Sequence, residues 1–472
     1  MNRKSNGEDK FDFELLLKQY ENLKNGRPAS FFDEDSFERI IEYFEDRDEL
    51  KHALEACDFG ISIFPYSGTL MIKKADLLLD FRAYKAALKI LEKVELMDGM
   101  SPELCILKTE AYLALDRQQE AIDFLEKALP TFEGEDRIEL LFELCDVYDD
   151  YEEFDKVFDV LVMILKEDPL NEEALYKICF WTDFTGRNEE SIRIHEKIID
   201  DYPYSELAWF NLAAAYQGLK LYEKAIDAYM YCIAIDEKFD YAYRNMGDAY
   251  IRMRKYKDAI EMLEKVLELS RPEEVIYDAI GYCYDKLHNW AQARFHYKKA
   301  SHLNPSDSKM YYKIACTYHN EGSFDAASKQ LDQALKMDSG HPDYNLAMGL
   351  ILSAKNLHED AVPYFLNVIK ARPKNLKGWT ALVECFMHSN NWDKAAEFAQ
   401  LAYIRMSRKT IFLYHLVAIH YLSGNIKEAL TQLQTAMQLD SRMVKKLSDY
   451  CPQILQNPQA VDIISQYKKR KF

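Results

Sequence analysis

Residues 208–236 read AWFNLAAAYQGLKLYEKAIDAYMYCIAID, and the same pattern of small and aromatic side chains returns every 34 residues through most of the chain. Placed in that frame, repeats begin at Glu34, Gly68, Pro102, Ile138, Glu172, Glu206, Asp240, Glu274, Ser308, Pro342, Leu376 and Thr410, with two extra residues near a loop expected at 132–136. Position 20 of each repeat reads Ala53, Ala87, Ala121, Val157, Ser191, Ala225, Ala259, Ala293, Ala327, Ala361, Ala395 and Ala429. Only small side chains let two antiparallel helices interlock at such a point, so each repeat is read as a helix-turn-helix unit. Position 8 is small as well, with Ala75, Ala213, Gly247, Gly281, Ala315 and Gly349.

Bulky residues take the complementary places. Tyr112, Tyr148, Tyr216, Tyr250, Tyr284 and Tyr318 stand at position 11, and Tyr222, Tyr256, Trp290, Phe324 and Trp392 at position 17. These are core residues, which accounts for the 32 Tyr without a cofactor. Pro65, Pro169, Pro203, Pro305 and Pro373 at position 32 lack the backbone donor a continuing helix needs. In the quoted stretch Trp209, Leu212, Ala213, Tyr216, Tyr222, Ala225, Tyr229 and Cys232 fill the diagnostic positions of the tetratricopeptide repeat, although Glu237 stands where that family closes with proline. The sequence therefore resembles the tetratricopeptide-repeat family. That resemblance implies an all-α, right-handed superhelical solenoid of about twelve helix pairs.

No Pro- or Gly-rich linker announces a domain boundary. The organisation expected is a polar N-terminus and docked helix over 1–33, repeats over 34–137, an unbroken register over 138–443, and capping helices with a basic tail over 444–472. The docked helix is read from Phe11 to Leu23, stopping at Gly26 and Pro28. The capping segments are broken at Pro452 and Pro458, and the tail is Lys468, Lys469, Arg470 and Lys471. Nine cysteines without a C-x-x-C pair imply reduced thiols rather than disulfides or zinc. With no signal-like segment at the start and no long apolar run, a soluble cytoplasmic protein with no membrane partner is expected.

The formal net charge of -19 is unevenly placed: residues 1–200 carry 25 Lys+Arg against 48 Asp+Glu, and the remainder 35 against 31. Such an N-terminal portion repels nucleic acid and anionic membrane and attracts basic partners. In the family, positions 2, 5, 6, 9, 12 and 13 of each repeat face a concave groove. At position 9 this chain has Glu42, Asp76, Glu110 and Asp146, a carboxylate in four consecutive repeats; Asp46, Asp80 and Asp150 follow at position 13, and Asp149 and Asp183 at position 12. A groove for a Lys/Arg-rich segment is expected there, with a merely solvated acidic face as its alternative.

In the middle repeats Asn211 and Asn245 share position 6, with Lys177, Lys313 and Arg244 nearby. Inward amides resemble the asparagine ladder with which some family members grip a peptide backbone; bonding to the neighbouring repeat is the competing reading. Phe180, Phe210, Tyr241 and Tyr282 are inward aromatics that could anchor apolar groups. The clamp for a C-terminal carboxylate found in chaperone-binding members needs a set of Lys and Asn that no three consecutive repeats supply. In residues 172–205, Thr182, Asn188, Ser191 and His195 replace core residues; unpaired, they would loosen packing, so a soft joint is expected there.

Phosphate-loop, dinucleotide, H-E-x-x-H and G-x-S-x-G motifs are absent from the sequence, and His415 and His420 are five apart, off one helical face. The function expected is a non-catalytic scaffold that holds a protein or peptide, without cofactor, metal or nucleic acid. The alternative is a structural subunit of a larger assembly or a self-associating solenoid.

Overall fold

The computed structural model describes residues 5–27 and 32–469, with side chains from 13 to 27 and from 32 to 467. Pro28, Arg470 and Lys471, and the side chains of Phe11, Lys468 and Lys469, lie outside the described residues. The described residues contain no β-strand. They fall into two compact units, Met1–Glu237 and Lys238–Phe472, each taken by itself here.

In the first unit α1 (Ser5–Lys24) precedes six helix pairs: α2 (Glu34–Glu45) with α3 (Leu50–Ile63), α4 (Gly68–Asp80) with α5 (Tyr84–Asp98), α6 (Pro102–Leu113) with α7 (Gln118–Ala128), α8 (Gly134–Asp150) with α9 (Phe154–Glu167), α10 (Glu172–Thr185) with α11 (Asn188–Asp201), and α12 (Glu206–Gly218) with α13 (Tyr222–Ile235). In the second unit the pairs are α14 (Asp240–Arg252) and α15 (Tyr256–Leu269), α16 (Glu274–Lys286) and α17 (Trp290–Leu303), α18 (Ser308–Asn320) and α19 (Phe324–Met337), α20 (Pro342–Ala354) and α21 (His358–Ala371), α22 (Leu376–His388) and α23 (Trp392–Arg405), and α24 (Ile411–Leu422) and α25 (Ile426–Asp440). After these come α26 (Val444–Tyr450) and α27 (Pro458–Lys469).

Every first helix starts within one residue of the frame read from the sequence, except α8. That helix begins at Gly134 rather than Ile138, because the loop expected at 132–136 winds into an additional helical turn after a 3-10 segment at Leu129–Thr131. Arg137 holds the detour in place, donating from Nη1 to the Leu129 carbonyl at 2.8 Å and pairing with Glu167 at 3.1 Å.

The small residues at position 20 are all buried, none more than 1% exposed. At position 8 the need for glycine is geometric. A Cβ on Gly247 would lie 2.8 Å from Leu263, one on Gly281 2.7 Å from the Tyr297 ring, and one on Gly349 2.6 Å from the Phe365 ring. First helices are capped where Ser67, Ser101, Asn171, Ser205 and Asn375 accept a hydrogen bond from the backbone amide three residues on. Second helices preceding Pro65, Pro169, Pro203, Pro305 and Pro373 each end two residues before the proline, as its effect on the preceding residue requires. The turn inside every repeat puts position 15 in the left-handed region, with Asp48, Arg82, Asp116, Glu152, Lys220, Arg254, His288, Asn356 and Asn390 there and glycine only at 186, 322 and 424.

At one end α1 lays Tyr20 against Phe37 and Phe59, with ring centroids 6.3 and 6.2 Å apart. At the other, Leu447, Cys451, Ile454, Ala460 and Ile464 are buried in one cluster with α24 and α25. All nine cysteines are free, and burial pushes the thiols of Cys57, Cys145, Cys232 and Cys283 up to about 12, which leaves them protonated and unreactive. No described helix is long and apolar enough to cross a membrane.

Candidate functional site

The acidic residues of the first unit sit on first helices: Glu38, Glu42 and Glu45 on α2, Asp76 and Asp80 on α4, Glu110 on α6, and Glu139, Glu143, Asp146 and Asp150 on α8. Spacings of three, four and seven place each set on one helical face. Glu42, Glu110, Asp146, Asp149 and Asp183 are exposed, and Asp76 is half-buried. Successive first helices touch, α4 on α6 and α6 on α8, so the faces adjoin.

Their fields overlap from repeat to repeat. Partial burial, followed by repulsion from Asp80, holds the Asp76 carboxyl above its usual range. Burial and then Asp76 and Asp80, one repeat earlier, do the same to Glu110. Glu45 is raised by burial and by Asp76, Glu42 and Asp80, and Glu38 by burial, Asp35 and Glu42. Lys73 is the cation that partly offsets these charges. The strongest case is Glu143, half-buried and surrounded by Glu110, Asp146, Asp150 and Glu139; burial first and these charges second push its carboxyl up to about 7.

Glu143 was not singled out from the sequence, although position 6 of the fourth repeat, three residues before Asp146, was a signal for it. Carboxylates were read at positions 9, 12 and 13 and amides at position 6, which left the acid at position 6 of the fourth repeat aside. Asp149 lies about 100° around α8 from Asp150, away from that stripe. Asp183 is on α10, where the ladder at position 9 gives way to Phe180.

The polar residues of the middle repeats are engaged within the protein. Asn211 is buried and donates from Nδ2 to the Leu175 carbonyl at 2.8 Å; the same nitrogen is 3.2 Å from His195 Nε2. His195 Nδ1 meets the Ser191 carbonyl at 2.8 Å, so Nδ1 carries the proton and bare Nε2 accepts from Asn211. Burial lowers the imidazole pKa to about 4 and keeps it neutral. Of the two readings of Asn211, gripping a partner's backbone gives way to bonding with the neighbouring repeat: its amide nitrogen holds α10 and α11 to α12. Asn245 is half-buried on α14, in the second unit.

Lys177 pairs with Glu173 at 2.9 Å and Asp146 at 3.4 Å. Arg244 pairs with Glu273 at 2.8 Å, and Lys313 Nζ with both Asp278 oxygens at 2.5 and 2.7 Å. Each of these three cations, named above as groove candidates, thus has an acidic partner within its own unit. The polar residues behind the expected soft joint are likewise paired, Thr182 Oγ1 donating to the Ile178 carbonyl at 2.7 Å and Ser191 and His195 meeting as above. Among the described residues no group of His, Cys, Asp and Glu is placed to hold a metal ion.

The chain matches the tetratricopeptide repeat over residues 207–239, 242–275, 308–341 and 346–410. Over these residues, about a third of its length, the chain carries tetratricopeptide repeats. It is 26% identical over 165 residues, 34% of its length, to tetratricopeptide repeat protein 21A of Mus musculus, and spans about 12% of that relative's length. Among solved structures it is similar to YrrB, described as a TPR protein with an unusual peptide-binding site, at 24% identity and a TM-score of 0.36, covering 40% of this chain and 96% of that one. It is also similar to the APC/C hetero-tetramer Cut9–Hcn1, at 11% identity and a TM-score of 0.36 over 82% of this chain and 96% of that one. A third is the C-terminal part of a TPR protein from Cytophaga hutchinsonii, at 16% identity and a TM-score of 0.44 over 54% and 98%. The matched repeats begin at residue 207, beyond the acidic ladder.

Proposed function

We propose that this chain is a non-catalytic scaffold that holds a segment of another protein, and that the first-helix face of residues 34–150 takes a Lys/Arg-rich segment. The supporting observation is Glu143, whose carboxyl is pushed to about 7 by burial and by Glu110, Asp146, Asp150 and Glu139. Like charges held together and only partly offset by Lys73 and Lys177 destabilise the free protein, and a bound cation relieves that cost, so affinity for basic segments follows from the fold's own repulsion. Protein interaction is the general role of tetratricopeptide repeats, and nine unpaired thiols fit a reducing compartment such as the cytoplasm.

The test is fluorescence anisotropy with a labelled Lys/Arg-rich peptide against the wild type and the combined Asp76→Lys, Glu110→Lys and Asp146→Lys variant. Affinity should fall at least tenfold in the variant and steeply with added salt, with the helical circular dichroism unchanged. Equal binding by both proteins would make the acidic ladder a solvated surface only. A role as an assembly subunit is the second reading, favoured by large apolar residues exposed on second helices, Tyr231 at 58%, Phe295 at 52% and Ile404 at 66%. An interface of that kind persists as salt rises.

A further inference from the structure

The ladder of carboxylates at position 9 ends at Asp146, and one repeat further the same position holds Phe180. Position 13 changes in the same way, from Asp150 to Phe184. Both rings are open to solvent, Phe180 at 60% and Phe184 at 56% exposed. They lie four residues apart on α10 and stack on each other, with centroids 5.9 Å apart and planes at 25°. Beneath them Trp181 is buried at 8% exposure, with centroids 4.9 Å from Phe180 and 5.7 Å from Phe184. Phe154, at the start of α9, stacks on Trp181 at 5.3 Å and meets Phe184 edge-on at 4.8 Å.

Two phenylalanines seated on a buried tryptophan form a fixed apolar platform, and such rigid aromatic surface loses little entropy when something covers it. Core packing alone does not account for it, because the same two positions one repeat earlier hold the exposed acids Asp146 and Asp150. The platform adjoins the ladder directly: Lys177 on α10 reaches Asp146 on α8 at 3.4 Å.

We infer that the acidic face and this platform are two halves of one docking surface, which takes a bipartite protein segment: basic residues on the carboxylates of α4 to α8, then an aromatic or long aliphatic side chain on Phe180 and Phe184. The inference rests on the reading of the acidic face given above. Charge complementarity selects the basic half, and the same acids exclude nucleic acid as the occupant of the rings. The Lys177–Asp146 bridge sets α8 and α10 roughly one helix diameter apart, about 10 Å, and an extended chain advances about 3.3 Å per residue. The apolar anchor therefore stands about three residues beyond the last basic residue of the segment.

Two labelled peptides test this. Each has four lysines separated by serines, then two glycines and a final residue, which is tryptophan in one and alanine in the other. The wild type should bind the tryptophan peptide about tenfold more tightly, as hot-spot burial of one large aromatic implies. The double variant Phe180→Ser and Phe184→Ser should erase that ratio while leaving the affinity for the alanine peptide unchanged, the latter serving as proof that the face is still folded. If the wild type binds both peptides equally, or if the ratio survives in the double variant, the anchor is overturned while the acidic reading stands. If the tryptophan peptide binds the Asp76→Lys, Glu110→Lys and Asp146→Lys variant as it binds the wild type, the acidic reading fails. Binding of neither peptide overturns both.

Discussion

Glu143 in the first unit and Asp285 in the second are both half-buried carboxyls on first helices, and burial raises both. Their surroundings have opposite signs. Around Glu143 stand Glu110, Asp146, Asp150 and Glu139; around Asp285 stand Lys286, His288 and Lys313, which pull its carboxyl back down. Elsewhere in the second unit Lys355 meets Asp325 at 2.6 Å, linking one repeat to the one before, and Arg372 meets Asp343 at 2.7 Å within one helix pair. The same backbone frame thus carries a self-repelling surface in one unit and a self-satisfied one in the other. Packing fixes where these positions lie, while the side chains that packing leaves free decide whether a repeat is closed to partners or in need of one.

The comparison breaks first at the helix pairs. Position 8 holds alanine at 75 and 213 in the first unit, whereas three repeats of the second hold Gly247, Gly281 and Gly349, where even a Cβ would overlap the facing side chain. Gly349→Leu forces a branched side chain against the buried Phe365 ring and should cost about 3 kcal/mol, at the upper end for overpacking. Ala213→Leu, in a pair already spaced for a methyl group, should cost about 1–2 kcal/mol. Hydrogen exchange read peptide by peptide, over 342–371 and 206–235, measures each where it acts, because stacked repeats need not unfold together. Equal losses at the two sites would mean that the glycines do not set a closer approach.

Charge gives the next effect. Because the folded pKa of Glu143 lies above its unfolded value of 4.5, the folded state binds the extra proton between about pH 4.5 and 7. Its contribution is fully favourable below that window and is lost as pH rises through 7. Glu143→Gln should therefore stabilise the first unit by about 1 kcal/mol at pH 8, after discounting for solvent screening, and by little at pH 4. Asp285→Asn removes an acid from among cations and should give no such gain. Urea midpoints at the two pH values check both variants, and a pH-independent Glu143→Gln effect would detach the gain from ionisation.

How legible this was in the sequence follows from the physics of each feature. Small residues recur at position 20 because sterics leave little choice there, and proline at position 32 marks the end of five repeats, so eleven of twelve first helices fell within a residue of their expected starts. The fourth repeat escaped because two inserted residues wind into helix instead of looping, which nothing in the period encodes. The recurrence of Asp76, Glu110 and Asp146 at position 9 was legible from the spacing, while the expectation that this position faces a groove came from the resemblance to the family. Glu143 was not, since its carboxyl is shifted by burial against a neighbouring repeat, a fact of three dimensions. Asn211 misled for the same reason: its position implied a groove, while its partners, the Leu175 carbonyl and His195, come from the repeat before it. A single repeat cannot report which of its polar groups the next repeat will take.

The smallest effect is also common to both units. Arg254 and Gly186 occupy the same place in the turn between paired helices, at φ of 60° and 73°. A side chain in that conformation costs roughly 1–2 kcal/mol, of which the greater freedom of glycine in the unfolded chain returns about 0.5–1 kcal/mol. Arg254 is exposed and Gly186 has open space around the place of a Cβ, so neither exchange disturbs packing. Arg254→Gly should then stabilise the second unit by about 0.5 kcal/mol and Gly186→Arg should destabilise the first by as much. Opposite shifts in local exchange protection would show that one turn serves both units; shifts of the same sign would mean that the side chain at this place acts through contacts particular to its repeat.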